Sequence, residues 1–186
     1  MKTYFWAKAL FVLCAYSGSA ALADQMVGAG MVGPAAAHEV HDGVMPNNLL
    51  AQKVREVNAR FADVNAATAE DYAPIPCVSG IDGGAMGIHY VNGKLLDDGG
   101  VIDIGKPEAV MYEPQADGSL QLVAVEYISL KGPANLDGHQ FSFTNSPNRY
   151  GLPPFYELHV WAWRDNATGT FADMNPDVSC DAAIAQ

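Results

Sequence analysis

The stretch Phe155-Tyr156-Glu157-Leu158-His159-Val160-Trp161-Ala162-Trp163 decides the fold class of this sequence. Aromatic and aliphatic residues dominate it, which is typical of a β-strand. Because successive side chains of a strand point to opposite faces, the odd-numbered residues share one face and the even-numbered residues share the other. The odd-numbered face places Glu157 and His159 among aromatic rings. An apolar wall with a few polar groups is typical of a small-molecule pocket.

Three further strands are predicted upstream of this stretch. They cover residues 86–91, 109–113 and 120–128, which are rich in β-branched and aromatic residues and are bounded by turn residues such as Asn92-Gly93. Residues 131–154 carry proline and glycine near both ends and predict a long loop. The second half of the chain is therefore predicted to be mostly sheet.

A single amphipathic helix is predicted before the strands. Its apolar positions recur at steps of four and three residues, which places them on one stripe of a helix from about residue 48 to 69: Leu50, Val54, Val57, Phe61 and Val64. Pro74 and Pro76 prevent the helix from continuing. The sequence thus predicts an α+β fold, with one long N-terminal amphipathic helix packed on a curved, mostly antiparallel β-sheet, as a single domain over residues 49–186.

The N-terminal residues 1–23 predict a cleavable secretory signal peptide. A lysine-containing start precedes a short apolar core, and Ala21-Leu22-Ala23 provides the small residues that signal peptidase requires. The apolar run is too short to cross about 30 Å of hydrocarbon, so no stable membrane anchor is expected after cleavage. Residues 24–48 are rich in Gly, Ala and Met and predict a flexible leader. The protein is therefore predicted to be periplasmic or secreted.

The charge of the chain argues against a nucleic-acid partner. Ten basic and 21 acidic residues give a formal charge of −11. Removing residues 1–23 removes Lys2 and Lys8 and no acid, which leaves 8 basic and 21 acidic residues and a charge of −13. The remaining basic residues are scattered singly, whereas a protein that binds phosphates needs a basic patch. A small-molecule ligand is the expected partner.

Two cysteines, Cys77 and Cys180, remain after cleavage. In an oxidising compartment a pair of cysteines is expected to form a disulfide. The resulting loop of about 100 residues would stabilise the fold by on the order of 4 to 5 kcal/mol.

Ionisable side chains interrupt three of the predicted strands, and these are the candidate catalytic and metal-binding residues: His89, Glu126 and His159. A carboxylate inside an apolar strand needs a compensating partner, and the two histidines are the nearest candidates. Two imidazoles and one carboxylate can bind a divalent transition metal with open positions, or transfer protons as general acids and bases. A buried His–Glu hydrogen-bond pair that orients the strands is the alternative.

Three other residues complete the predicted pocket. Tyr90 and Trp161 are expected to form apolar walls, and Glu157 is expected to act as an alternative or supporting ligand. Glu113 is predicted to lie outside it. If residues 114–119 close a hairpin, Glu113 faces Leu120 and Glu126 falls beyond Ala109, about 20 Å from Glu113 at roughly 3.3 Å per residue. Glu113 is therefore predicted to be a solvated residue at the end of the turn.

Several phrases of the sequence together resemble a family of exported bacterial proteins of unknown function. They include Gly84-Ala85-Met86-Gly87-Ile88-His89-Tyr90-Val91-Asn92, Tyr112-Glu113-Pro114, Val125-Glu126-Tyr127, Tyr156-Glu157-Leu158-His159-Val160-Trp161 and Asn175-Pro176-Asp177-Val178-Ser179-Cys180. The resemblance spans residues 50–180 and implies no particular activity. A helix followed by a curved antiparallel sheet also resembles the cone-shaped folds of small-molecule isomerases, dehydratases and lyases, which is a likeness of fold alone.

Three functions are open to this chain, and the last of them is a structural role as an interaction protein of the cell envelope, which predicts no cavity between helix and sheet. The first is an exported small-molecule-binding domain with a His/Glu pocket, acting as a metal-dependent or acid–base enzyme. The second is a non-catalytic periplasmic protein that binds a metal or another ligand. The leader also contains Met and His residues that could bind copper, although their irregular spacing favours a plain linker.

Overall fold

The computed structural model describes residues 48–80 and 83–184. The predicted signal peptide and residues 24–47 of the predicted leader lie outside these residues. None of the helices in the described ranges combines the length and the apolar content needed to span a lipid bilayer.

The N-terminal helical region contains two helices instead of the one predicted. Helix α1 covers Leu49–Val57, a 3₁₀ turn covers Ala59–Ala62, and helix α2 covers Val64–Ala69. The break begins at Asn58, because its side-chain amide donates to the carbonyls of Val54 and Ile104. Asp63 then caps α2 by accepting from the backbone N–H of Asn65. The prediction of one continuous helix was wrong, because polar side chains at these two positions favour ends of helices.

The sheet is antiparallel throughout, as predicted. Its strands are β1 (Ala73–Pro74), β2 (Val78–Ser79), β3 (Ala85–Val91), β4 (Ala109–Pro114), β5 (Leu120–Ser129), β8 (Ser142–Thr144) and β9 (Phe155–Val160). They are arranged in the order β1-β3-β4-β5-β9-β8, with β2 also paired to β3. The sheet is not strongly curled, so the predicted curvature is weak. The α+β class and the four main strands of the prediction are confirmed.

Three short strands and two short helices complete the fold. Strands β6 (Asn135–Leu136) and β7 (His139–Gln140) form a separate two-stranded hairpin, and β8 joins the main sheet beside β9. The long loop predicted over residues 131–154 is therefore partly sheet. Helix α3 (Gly93–Leu96) follows β3, and helix α4 (Asp181–Ile184) follows the last strand.

The pairing of β4 with β5 differs from the predicted register by one residue next to the turn and by two residues beyond a bulge. Glu113 lies opposite Gln121, and a bulge at Val123 shifts the register between the Tyr112–Leu122 and Met111–Ala124 pairs. A bulge places an extra residue in one strand and cannot be read from alternation alone. As a result, Glu126 lies directly opposite Ala109 and shares a face of the sheet with His159, its partner on β9.

Each face of the sheet is covered by a different part of the chain. The main core packs the helical region against one face and includes Leu50, Val54, Phe61, Tyr112 and Val160. The other face carries a smaller apolar cluster that includes Met111, Trp161, Val178 and Cys180. Cys77 and Cys180 form the predicted disulfide, with their Cα atoms 5.9 Å apart and 103 residues of separation. The disulfide attaches the segment that follows β9 to the second face.

Glu108, the residue before β4, is a buried acid outside the predicted site. It is 1 % exposed, and its Oε2 accepts a hydrogen bond of 2.8 Å from the backbone N–H of Ile128. Burial raises the pKa of Glu108 to about 8, although that hydrogen bond acts in the opposite direction. At neutral pH the folded chain therefore holds a proton that the unfolded chain releases.

The free energy of unfolding of the wild type is expected to fall as the pH rises, because Glu108 must then ionise in a buried position. Replacing Glu108 with glutamine should abolish this fall. The pKa of Glu108 is higher in the folded than in the unfolded chain. The stability that protonated Glu108 contributes is therefore fully present below about pH 4.5 and is lost as the pH rises to about 8. Between pH 5 and pH 8 the wild type should lose about 3 kcal/mol relative to Glu108→Gln. Urea unfolding of both proteins at several pH values measures this difference. Parallel pH profiles of the two proteins would contradict it.

Candidate functional site

The three residues proposed as ligands from the sequence lie together on the second face of the sheet. His89, Glu126 and His159 belong to β3, β5 and β9, and all three are buried. Oε2 of Glu126 lies 3.4 Å from Nε2 of His89 and 3.7 Å from Nε2 of His159. One ligand atom from each residue lies within 4.8 Å of the other two. The sheet thus brings two imidazoles and a carboxylate to one point.

Local packing explains how His89 reaches Glu126 across strand β4. Glu126 lies opposite Ala109, whose methyl side chain leaves space above the sheet. Gly87, two residues before His89, has a φ of +92°, and a Cβ there would lie 2.4 Å from the carbonyl oxygen of Tyr112. Only glycine therefore permits this close approach of β3 to β4. The small residues at positions 87 and 109 position the His89 ring.

Two residues that the sequence analysis did not propose complete the cluster. Arg149 and Tyr150 lie in the Arg149 loop (residues 145–154), which joins β8 to β9. Nη2 of Arg149 lies 2.5 Å from Oε1 of Glu126 and also hydrogen-bonds to Glu157. The Tyr150 hydroxyl donates to Oε2 of Glu126. The sequence analysis assigned the two histidines as partners of Glu126, because nothing in the sequence places this loop over β5 and β9.

Glu157 is buried and takes part in the same network, as the alternation of β9 predicted. Its carboxylate accepts hydrogen bonds from the Thr144 hydroxyl and from Arg149. Burial and the neighbouring Glu126 carboxylate together raise the pKa of Glu157 to about 7, against the opposing charges of His159 and Arg149. Glu157 therefore titrates near neutral pH.

The charges of the cluster set the protonation of its other members. Burial acts to raise the pKa of Glu126, but the charges of His159 and Arg149 outweigh it and hold that pKa well below its usual range. Burial lowers the pKa of His89, so its ring is neutral at neutral pH. Burial also disfavours a charged His159, but Glu126 and Asp173 reverse the effect and raise the pKa of His159. The pKa values of the two imidazoles are thus shifted in opposite directions.

Several buried nitrogen atoms of this cluster have no hydrogen-bond partner among the described residues. Both ring nitrogens of His89 are in this state, since its contact with Glu126 lacks hydrogen-bond geometry. Nδ1 of His159 and Nε of Arg149 are also unpaired. Asp173, whose side chain is exposed, places Oδ1 3.4 Å from Nδ1 of His159. A buried imidazole without a well-aligned hydrogen bond has lost its hydration with little compensation, so the nitrogens of the His89 ring are available to a further partner.

The remaining predicted pocket residues lie elsewhere. Tyr90 is on the opposite face from His89, where its ring packs edge-on against Tyr112 with centroids 5.1 Å apart, so it forms no wall of the site. The prediction for Tyr90 was wrong because it ignored the alternation that separates it from His89. Trp161 is on the same face as His159, in the smaller apolar cluster, and its indole N–H donates to the carbonyl of Ala172.

Glu113 is buried instead of solvated, which corrects the prediction. Its carboxylate forms an ion pair with Arg164 and accepts a hydrogen bond of 3.1 Å from the backbone N–H of Ser179. The segment after β9 folds back over the end of β4 that leads into the turn. The turn residues 114–119 do not indicate that a distant segment covers Glu113. Glu113 is a contact of the C-terminal segment and lies apart from the His89 cluster.

Comparisons of the chain with protein-family models, with curated proteins and with solved structures found no match. The geometry of the cluster is therefore the basis for any functional proposal.

The described surface cavities lie away from the cluster. Three cavities of about 550, 480 and 450 Å³ open beside α1, beside the β4–β5 turn and beside β1. None of these three is lined by His89, Glu126 or His159. The ligand atoms of these three residues, all within 4.8 Å of one another, are close enough to hold a metal ion.

Proposed function

We propose that His89, Glu126 and His159 bind one divalent transition metal ion in an exported α+β domain. The observation that carries the proposal is the fully buried His89 ring, whose nitrogens have no partner with hydrogen-bond geometry within residues 48–80 and 83–184 and whose Nε2 faces a carboxylate shared with His159. A neutral imidazole with an available lone pair is a metal ligand, and the lowered pKa of His89 keeps the ring in that form at neutral pH.

The types of ligand support a transition metal over calcium or magnesium. Imidazole nitrogen suits Zn²⁺, Fe²⁺, Ni²⁺ and Cu²⁺, whereas Ca²⁺ and Mg²⁺ prefer oxygen ligands. Three protein ligands leave at least one coordination position open, as in catalytic metal sites. We propose that this position accepts a small-molecule ligand, which makes the site suitable for a metal-dependent enzyme or for a metal-binding protein without catalysis.

The proposed location outside the cytoplasm draws support from two features. The N-terminal residues have the pattern of a signal peptide, and the disulfide between Cys77 and Cys180 persists best in an oxidising compartment. In such a compartment, fewer free thiols than in the cytoplasm compete with the protein for a metal ion.

A metal-free acid–base function is the second candidate. It is favoured by Glu157, which titrates near pH 7 while hydrogen-bonded to the same arginine as Glu126. A group with a pKa near the working pH is effective in proton transfer. This candidate predicts that the purified protein contains no metal and that adding metal does not change its melting temperature.

The proposal is tested by elemental analysis of protein exported with its own N-terminal segment, together with titration of the metal-free protein with Zn²⁺. About one equivalent of metal is expected in the wild type. In His89→Ala and His159→Ala the affinity should fall by more than about 100-fold, because loss of even an indirect supporting contact costs 10- to 100-fold.

His139→Ala is the matched control for these variants. The His139 ring stacks on Phe171 with centroids 4.3 Å apart and is not part of the cluster. The His139→Ala variant should bind Zn²⁺ with the same affinity as the wild type. A wild-type protein that contains no transition metal and does not bind added Zn²⁺, Mn²⁺, Fe²⁺ or Ni²⁺ would refute the proposal.

A further inference from the structure

Arg149 places its positive charge where the proposed metal would bind. Nη2 of Arg149 lies 2.5 Å from Oε1 of Glu126 and 3.5 Å from Nε2 of His159, and it also donates a hydrogen bond to Glu157. Tyr150, the next residue, donates its hydroxyl hydrogen to Oε2 of Glu126, the oxygen closest to both histidines. Two adjacent loop residues therefore engage both oxygens of the proposed metal ligand.

A guanidinium group and a metal ion cannot share these contacts. The guanidinium is charged at every physiological pH and has only donors, so it repels a cation and cannot act as its ligand. The repulsion is strong in a buried cluster, where water does not screen it. Nε2 of His159 can face either Arg149 or a metal ion, and Oε2 of Glu126 can accept from Tyr150 or bind the metal at the same position.

Hydrogen bonds of one side chain hold the Arg149 loop together. The side chain of Asn148 accepts hydrogen bonds from the backbone N–H groups of Tyr150 and Leu152 and donates to the carbonyl of Leu152. These bonds stay within the loop and persist if it shifts. The side chain of Arg149 is 13 % exposed, whereas those of Glu126 and His159 are fully buried, so Arg149 lies on the solvent side of the cluster.

We infer that Arg149 is an internal cation that competes with the metal for Glu126, so that metal binding displaces the Arg149 loop and Arg149 sets the affinity of the site. This inference rests on the proposed metal site. It assigns two states to the loop: closed, with Arg149 and Tyr150 on Glu126, and displaced, with the metal in their place. A ligand that prefers the displaced state shifts the loop toward it.

Arg149→Gln tests the competition, because glutamine removes the charge and keeps a polar side chain. Its affinity for Zn²⁺ should exceed that of the wild type by at least about tenfold, since the metal no longer has to displace a cation. Arg149→Lys retains the charge and should show a much smaller gain. Arg164→Gln is the matched control, because Arg164 pairs with another buried glutamate, Glu113, outside the cluster. Its affinity should equal that of the wild type.

Hydrogen exchange of the wild type tests the displacement without any substitution. Adding Zn²⁺ should speed amide exchange in residues 145–154 while slowing it in β3, β5 and β9. This readout remains decisive if Arg149→Gln fails to fold. Metal binding by the wild type with slower exchange in the loop would overturn the inference.

The outcomes separate the two proposals. If the wild type binds Zn²⁺ and Arg149→Gln binds it equally or more weakly, Arg149 orients Glu126 for the metal and the inference is wrong, while the metal site stands. If neither protein binds any transition metal, the site itself is refuted. Tighter binding by Arg149→Gln together with faster loop exchange in the wild type supports the inference.

Discussion

Glu126→Leu is expected to lower the free energy of unfolding by about 3 to 5 kcal/mol, because it removes one partner of a buried charge pair. The carboxylate contacts Arg149 and Tyr150 and lies close to both histidines. Its removal leaves the Arg149 guanidinium with Glu157 alone in a largely dry environment. Urea unfolding followed by tryptophan fluorescence in the presence of a chelator measures the loss without any contribution from metal.

The double variant Glu126→Leu/Arg149→Met is the control for this explanation. If the cost comes from an uncompensated guanidinium, replacing that group with an apolar side chain of similar length should recover part of the stability. The double variant should therefore be more stable than the sum of the two single losses predicts. Additive losses would show that Glu126 and Arg149 stabilise the fold independently and would contradict the coupling.

Removing the disulfide is the second large change. Cys77→Ala/Cys180→Ala should lose about 4 to 5 kcal/mol, since the bond closes a loop of 103 residues in the unfolded chain. Replacing both cysteines avoids a free thiol. Cys180 belongs to the smaller apolar cluster, and the neighbouring Ser179 hydrogen-bonds to Glu113, so the variant should also loosen the cover of the second face.

Thermal and urea unfolding of the double cysteine variant and of the reduced wild type measure this loss. The two should agree, because both lack the cross-link. A change below about 1 kcal/mol in either protein would show that the unfolded chain is already constrained without the bond.

Local patterns were sufficient to predict the sheet and part of the site. Two-residue alternation located β3, β4, β5 and β9, and it correctly placed Glu157, His159 and Trp161 on one face. Whether His89, Glu126 and His159 bind a metal stays a prediction, although the sheet brings them together. Their convergence needed only the order of neighbouring strands, which follows from short antiparallel connections.

Contacts between distant segments account for what the sequence did not indicate. The helix breaks at Asn58, which bonds to Ile104, a residue 46 positions later. The bulge at Val123 changed the register, and the cover over Glu113 comes from Ser179. Arg149 and Tyr150 belong to a loop without periodicity, so only its tertiary position gives them a role. The errors at Asn58 and Glu113 and the omission of Arg149 thus concern residues whose environment is set by a remote part of the chain, whereas local alternation would have placed Tyr90 correctly.

The cover of the second face has a consequence for biogenesis. Asp173, Ser179 and Cys180 follow every strand in the sequence, yet they contact His159, Glu113 and Cys77. The ribosome makes them after the whole sheet, so the nascent sheet presents an apolar and charged surface until they arrive. Formation of the Cys77–Cys180 disulfide then fixes this last segment over the second face and ends the exposed period.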